Sequence, residues 1–194
     1  MKRQAKQKNT ASGSIRIIAG QWRGRKLPVL DAEGLRPTTD RTKETLFNWL
    51  APEIVGRTCL DAFSGSGSLG FEALSRGAKQ VDFVDMNASA CRQIEQNIST
   101  LNIPSKQAKV MNVDVLAYLQ QHQTFDLVFI DPPFNQGLIT PLLTALNQTS
   151  KLAKKALIYI ECELANANYP VPNSWQCIKQ KQTKQLSYRL YQCE

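Results

Sequence analysis

The chain has 194 residues, 42% of them hydrophobic, a size and composition that suggest one domain with an ordinary globular core and a small extension. Its net charge of +8 is concentrated at the start: residues 1–50 hold 11 Lys+Arg against 4 Asp+Glu, and residues 51–194 hold 13 against 12, the footprint of a basic arm for a phosphate-rich partner on a near-neutral body. No apolar run is long enough to span a membrane or to serve as a secretory signal, and five cysteines without C-x-x-C spacing exclude a disulfide frame or a zinc site, so a cytoplasmic protein with reduced thiols is expected.

Residues 1–14 are basic, small and without periodicity, and are expected to be a disordered tail. Ile15–Ile18 and Arg25–Val29 flank Gly20-Gln21-Trp22-Arg23-Gly24, which predicts a short hairpin-like extension with a wide turn. After Pro37, Leu46, Trp49 and Leu50 recur at i, i+3, i+4 with Phe47 widening the stripe, so a helix closes an extension spanning residues 15–50. From residue 51 to 194 the text reads as one further unit. Strand-like runs at Thr58–Phe63, Gln80–Asp85, Ala108–Asp114, Phe125–Ile130 and Ala156–Cys162 alternate with helical stretches at Ser68–Arg76, Ala88–Leu101, Val115–Gln121 and Leu138–Lys151. Such βα repeats predict an α/β fold with a mostly parallel sheet covered on both faces. Trp175–Lys181 and Gln185–Gln192 then predict an antiparallel C-terminal hairpin at the sheet's edge.

Asp131-Pro132-Pro133-Phe134 closes the apolar run Phe125–Ile130. Two prolines fix φ, lack N–H groups and restrict the residues before them, so the segment must leave the strand as a rigid extended turn with outward carbonyls. In an open parallel sheet the carboxyl ends of the strands are where ligands bind. A carboxylate, a carbonyl and an aromatic ring there suit a planar base held by its exocyclic amine.

The first βα turn carries Gly65, Gly67 and Gly70 in G-x-G-x-x-G spacing after Asp61, and Asp85 ends the second strand about 20 residues on, placed for ribose hydroxyls. NAD and S-adenosylmethionine both satisfy that pair. Asp61 tips the choice, because a carboxylate beside the glycines opposes a pyrophosphate and suits an ammonium and a sulfonium. Asp114, ending the third strand, could accept from an adenine amine or merely cap the next helix. Phe63, Ser64, Gly65, Ser66 and Gly67 complete the loop around the cofactor, with Met86 beside Asp85.

Together these residues make the chain resemble the amino-methylating class I S-adenosylmethionine-dependent methyltransferases, whose (Asp/Asn/Ser)-Pro-Pro-(Phe/Tyr/Trp) motif holds a base amine; the resemblance implies a Rossmann-like sheet. Arg16 to Leu27, and Arg36-Pro37-Thr38-Thr39-Asp40-Arg41 through Asn48, are similar to the N-terminal signatures of the RsmD-type 16S ribosomal RNA guanine-N2 methyltransferases. That family resemblance implies methyl transfer to N2 of one guanine, in 16S rRNA of the small ribosomal subunit or its late assembly intermediate. It implies Asp131, Pro132, Pro133 and Phe134 as catalytic residues, Arg16, Arg23, Arg25 and Lys26 on phosphates, and Arg36, Thr38 and Arg41 near the RNA entrance or the cofactor's methionine end. Neither a metal nor a membrane is expected, and a monomer is. A DNA adenine-N6 or cytosine-N4 methyltransferase shares the same tetrad, though the chain is short of a segment that would read DNA sequence. An NAD oxidoreductase leaves the Pro-Pro turn without a role, and a non-catalytic RNA-binding assembly factor needs none of the three aspartates. Trp22 is suited equally to stacking on RNA and to packing the hairpin on the body.

Overall fold

The computed structural model describes residues 11–30, 40–120, 124–134 and 136–194; Arg36 and Thr38 fall outside them. Strands β1 (Ala11–Arg16) and β2 (Lys26–Leu30) pair antiparallel, with Ile15 opposite Leu27. Residues 11–14, expected in the unstructured tail, are therefore strand. Gly13 and Ser14 pair through their backbone with Val29 and Pro28, a contact that needs no apolar side chain and leaves no hydrophobic signal in the sequence. Period-two alternation puts Ile15, Ile17 and Leu27 in the core and Arg16, Arg25 and Lys26 in solvent, so the hairpin has one apolar and one basic face.

Helix α1 (Asp40–Leu50) buries Leu46, Phe47 and Leu50, as its spacing predicts. The remaining strands are β3 (Thr58–Asp61), β4 (Gln80–Asp85), β5 (Ala108–Asn112), β6 (Phe125–Ile130), β7 (Leu152–Glu163), β8 (Trp175–Gln182) and β9 (Leu186–Cys193). They form one seven-stranded sheet in the order β5-β4-β3-β6-β7-β9-β8, parallel from β5 to β7 and antiparallel for the last two. The C-terminal hairpin is at the edge as expected, but its second strand is the inner one. The burial explains this: β9 buries Tyr188, Leu190 and Tyr191, whereas β8 buries only Trp175 and its other residues face solvent. Strand β7 starts at Leu152, before the apolar run at Ala156, with Lys155 at φ 59 where its register with β6 shifts.

Connecting helices α2 (Ser68–Ser75), α3 (Ala88–Thr100), α4 (Val115–Tyr118) and α5 (Ile139–Gln148) divide between the faces. Cys59, Phe83, Phe129 and Tyr159 share one apolar cluster with the hairpin, α1, α2 and α3. Leu60, Val84, Val128 and Ile160 share the other with α4 and α5. The hairpin thus has no core of its own. Trp22 is partly buried and packs against the first cluster, as the packing reading expects.

A buried charged cluster joins the hairpin to α2. Glu72, fully buried, accepts from the Ile18 N–H (2.7 Å), the Ala19 N–H (3.1 Å) and Arg76 Nε (2.7 Å). Lys43 of α1 donates Nζ to the Arg16 carbonyl at 2.6 Å, and burial lowers its pKa against the pull of Glu72 and Asp40. Ser75 donates its hydroxyl to the Ala19 carbonyl (2.6 Å), while its own carbonyl accepts from the Gln21 N–H (2.7 Å). Gly20 fits there for two reasons: its φ is +83°, and a Cβ would stand 1.8 Å from the Ser75 carbonyl oxygen.

Removing one partner of a buried ionic cluster costs about 3–5 kcal/mol, because the others are left unpaired out of water. Glu72→Ala is expected to lower unfolding free energy by about that amount and to expose Arg23–Lys26 to trypsin before the sheet. Urea denaturation with timed proteolysis checks both; a loss below ~1 kcal/mol would show that the cluster does not hold the hairpin.

Candidate active site

The chain leaves β3 for β4 and β5 on one side, then returns to β6 and β7 on the other. The crevice at the carboxyl ends of β3 and β6 is therefore the topological switch point. Alternation brings four carboxylates to this edge on the α1 face. Asp61 follows Cys59 by two residues, Asp85 follows Phe83, Asp131 follows Phe129 and Glu161 follows Tyr159, and all four leading residues lie in the same cluster. Because Asp61 pairs with Phe83 and Phe129, and Phe129 with Tyr159, the other three stand two residues further out than Asp61.

The glycine loop is built on two of these acids. Asp61, 3% exposed, accepts the Gly70 N–H at 3.0 Å. Asp85 accepts the Gly65 N–H (2.7 Å) on one oxygen and the Asn87 N–H (2.7 Å) on the other. Gly65 and Gly67 adopt φ of 50° and 75°, and Gly67 starts α2. Gly70 serves packing instead: a Cβ there would meet the Phe83 ring at 2.2 Å, so its absence lets α2 lie close on β4. Ser64 is buried, its hydroxyl donating to the Asp61 carbonyl at 2.9 Å, so it braces the loop from inside. Phe63 and Ser66 are half-buried at the rim, and Met86 is 73% exposed beside Asp85. Asp114 caps α4 through Oδ1, accepting from Leu116 and Ala117 N–H at 2.9 and 3.2 Å; the capping alternative is realised, with Oδ1 taking both bonds.

Burial pushes the Asp61 carboxyl up to about 7; the Gly70 N–H opposes this, and the charges of Asp131 and Asp85 reinforce it. Asp131 is partly buried, Pro132 buried, and Pro133 and Phe134 exposed.

On the next strand Glu161 is 5% exposed and accepts the Tyr159 hydroxyl at 2.9 Å. Burial, then the charges of Glu161 and Asp131, hold that phenol well above its ordinary pKa. Tyr188 stands opposite Glu161 on β9, and Thr42 Oγ1 of α1 donates to the Tyr188 hydroxyl at 3.5 Å. Beside them, between α1 and the β8–β9 turn, lies a cavity of about 370 Å³ lined among others by Arg41, Trp49, Tyr159, Lys181 and Tyr188. Sequence reading passed over Glu161, although an acid that follows the apolar run Ala156–Ile160 stands much as Asp85 and Asp131 do.

The basic residues do not gather at this edge. Arg16, Arg23, Arg25 and Lys26 are exposed on the hairpin, whose turn docks on Ser75 at the far end of α2. Eight residues of helix place that turn roughly 12 Å from the glycine loop. Only Arg41 of the described basic candidates lines the cavity.

Asp61→Asn keeps the Gly70 hydrogen bond and removes the charge. In the wild type the raised carboxyl contributes stability fully below its unfolded value of 3.8, and this is lost as pH rises through about 7. The stability of Asp61→Asn relative to wild type is therefore expected to improve from pH 4 to 7 and to level above. Paired urea titrations check this; a difference constant with pH would mean that Asp61 ionises normally.

A family model described as "Conserved hypothetical protein 95" matches residues 15–192. The chain is 51% identical over 185 residues to "Ribosomal RNA small subunit methyltransferase D" of Haemophilus influenzae, covering 94% of this chain and 95% of the relative. It is 48% identical over 190 residues to the protein of the same name from Escherichia coli, covering 97% and 95%. The solved structure of yhhF from Escherichia coli superposes with a TM-score of 0.87 at 46% identity, covering 94% of this chain and 99% of that one.

Proposed function

The chain belongs to the ribosomal RNA small subunit methyltransferase D family, and on that premise we propose that it transfers a methyl group from S-adenosylmethionine to the exocyclic N2 of a guanine in 16S rRNA. The observation that carries this reading is the placement of Asp131-Pro132 at the switch point, next to the glycine loop and on the face that Asp61 and Asp85 share. The relatives' names disfavour the DNA and assembly-factor alternatives.

The residues present fit the cofactor. Asp61 is a buried acid that strains to stay ionised without a cation, Asp85 has lone pairs left for two ribose hydroxyls, and exposed Met86 offers an apolar plate for an adenine. When bound, S-adenosylmethionine supplies an electrophilic methyl group on a sulfonium. The protein's part is to prepare the amine. A guanine amine is a weak nucleophile because its lone pair is delocalised into the ring. Asp131 and the Pro132 carbonyl accept its two hydrogens, which turns the lone pair out of conjugation and stabilises positive charge as the nitrogen attacks. Phe134, 37% exposed, stacks on the flipped base. The amine becomes acidic as it is methylated, so no strong base or metal is needed. The substrate is the small subunit or its late assembly intermediate in the cytoplasm, met by the protein as a monomer with Arg16, Arg23, Arg25, Lys26 and Arg41 on phosphates.

Radiolabelled S-adenosylmethionine, with small subunits from a strain lacking the modification and with naked rRNA and DNA as controls, tests the whole reading; label is expected in N2-methylguanosine of 16S rRNA. Label in N6-methyladenine of DNA would overturn it. Asp131→Ala is expected to abolish transfer while cofactor affinity stays near wild type, and Asp85→Ala to weaken cofactor binding by about 1–3 kcal/mol. Calorimetric titration beside the transfer assay separates the two; full activity in Asp131→Ala would remove the carboxylate from the mechanism.

A further inference from the structure

Asp131 and Pro132 account for an amine but not for the choice of base, since adenine, cytosine and guanine all carry one. What differs is the neighbouring ring nitrogen. Beside the amine, adenine N1 and cytosine N3 present a lone pair, whereas guanine N1 presents an N–H. A second carboxylate next to the amine holder would accept that proton and would repel the other two bases.

Glu161 is placed for this role. Ile130 pairs with Ile160 in the parallel β6–β7 register, so the next residues, Asp131 and Glu161, are neighbours across strands ~4.8 Å apart. Both follow residues of the α1-face cluster by two, so both belong to the same face. Tyr159 donates its hydroxyl to Glu161 Oε2 at 2.9 Å, fixing the side chain. A carboxylate accepts about four hydrogen bonds, so holding Tyr159 does not by itself bar a further donor. Space for a purine lies alongside: the cavity of about 370 Å³ is lined by Tyr159 and Tyr188, the residue two before Glu161 and its partner across β9. Arg41 and Lys181 on its walls provide cations for the flanking phosphates.

We propose that Glu161 selects guanine, accepting the N1–H of the target base while Asp131 and the Pro132 carbonyl hold its N2 amine. This rests on the guanine-N2 reading above and adds the residue that sets its base specificity.

2-Aminopurine keeps the N2 amine but lacks O6 and carries a lone pair at N1, so comparing variants on both bases separates the N1 contact from the loss of O6. The wild type first locates its guanine on unmodified small subunits, and subunits are then reconstituted with guanine or 2-aminopurine at that position. Wild type is expected to prefer guanine by at least tenfold. Glu161→Ala should lower kcat/KM on guanine roughly 10- to 100-fold and leave 2-aminopurine within a few fold, with cofactor affinity by titration unchanged. Glu161→Gln keeps the shape and can offer either an amide oxygen or an N–H, so it should narrow the preference even where the alanine variant fails to fold. Equal losses on both bases, or guanine activity at the wild-type level in both variants, would overturn the assignment. If the wild type makes no N2-methylguanosine at all, the guanine-N2 reading falls and takes the proposal with it.

Discussion

Glu72 is fully buried and accepts hydrogen bonds from the hairpin backbone and from Arg76 at once, and the α1 side of the molecule is arranged around it. The carboxylate sits on α2, the helix that starts at the glycine loop. It therefore fixes the basic hairpin relative to that loop through one short, stiff element. A buried acid is costly unless its lone pairs are filled, and here two main-chain N–H groups and a guanidinium fill them. Lys43 meets the same hairpin from α1, and Arg76 lies 5.0 Å over the Phe47 ring, so α1, α2 and the hairpin meet at one charged knot inside an apolar cluster. Such a knot favours one docking angle more than it adds stability, because its charges fit only one arrangement.

The second constraint is electrostatic and opposite in sign. Asp85, Asp61, Asp131 and Glu161 line one edge of a protein whose net charge is +8. Burial pushes the Asp61 carboxyl up, and the charges of Asp131 and Asp85 beside it add to that. Two backbone N–H groups relieve part of that repulsion by closing the glycine loop over Asp61 and Asp85. A ligand with a positive end and a base edge rich in N–H donors relieves the rest. The edge is thus suited to completion by cationic and donor groups, while the hairpin's outer face presents exposed cations.

Much of this was legible in the sequence wherever the signal is local. Gln80–Asp85 and Phe125–Ile130 form strands at the residues their apolar runs mark, and Asp131-Pro132-Pro133-Phe134 cannot be anything but an exit from one. The inner place of β9 was not legible, because β8 and β9 are similar in length and only their tertiary burial distinguishes them. Nor were Glu72 and Lys43: in a helical stripe each reads as a solvated charge, and only the docked hairpin turns them inward. Glu161 is the intermediate case. Its position in the run is visible, but its pairing with Asp131 depends on which strand lies beside β6, and that is a property of topology.

The distance between the two charged regions bears on what the substrate must be. Arg23 and Arg25 lie by the far end of α2, roughly 12 Å from the glycine loop, whereas Arg41 and Lys181 flank the cavity at the carboxylate edge. Phosphate contacts fix register and carry no sequence information, so on the proposed reading the hairpin would orient an RNA whose path runs along α2 to reach the crevice. A flexible single strand would lose much entropy in following that path, whereas a folded RNA arrives with its phosphates already spaced. On the proposed reading, shape met at the hairpin and base chemistry met at Asp131 would multiply as specificity.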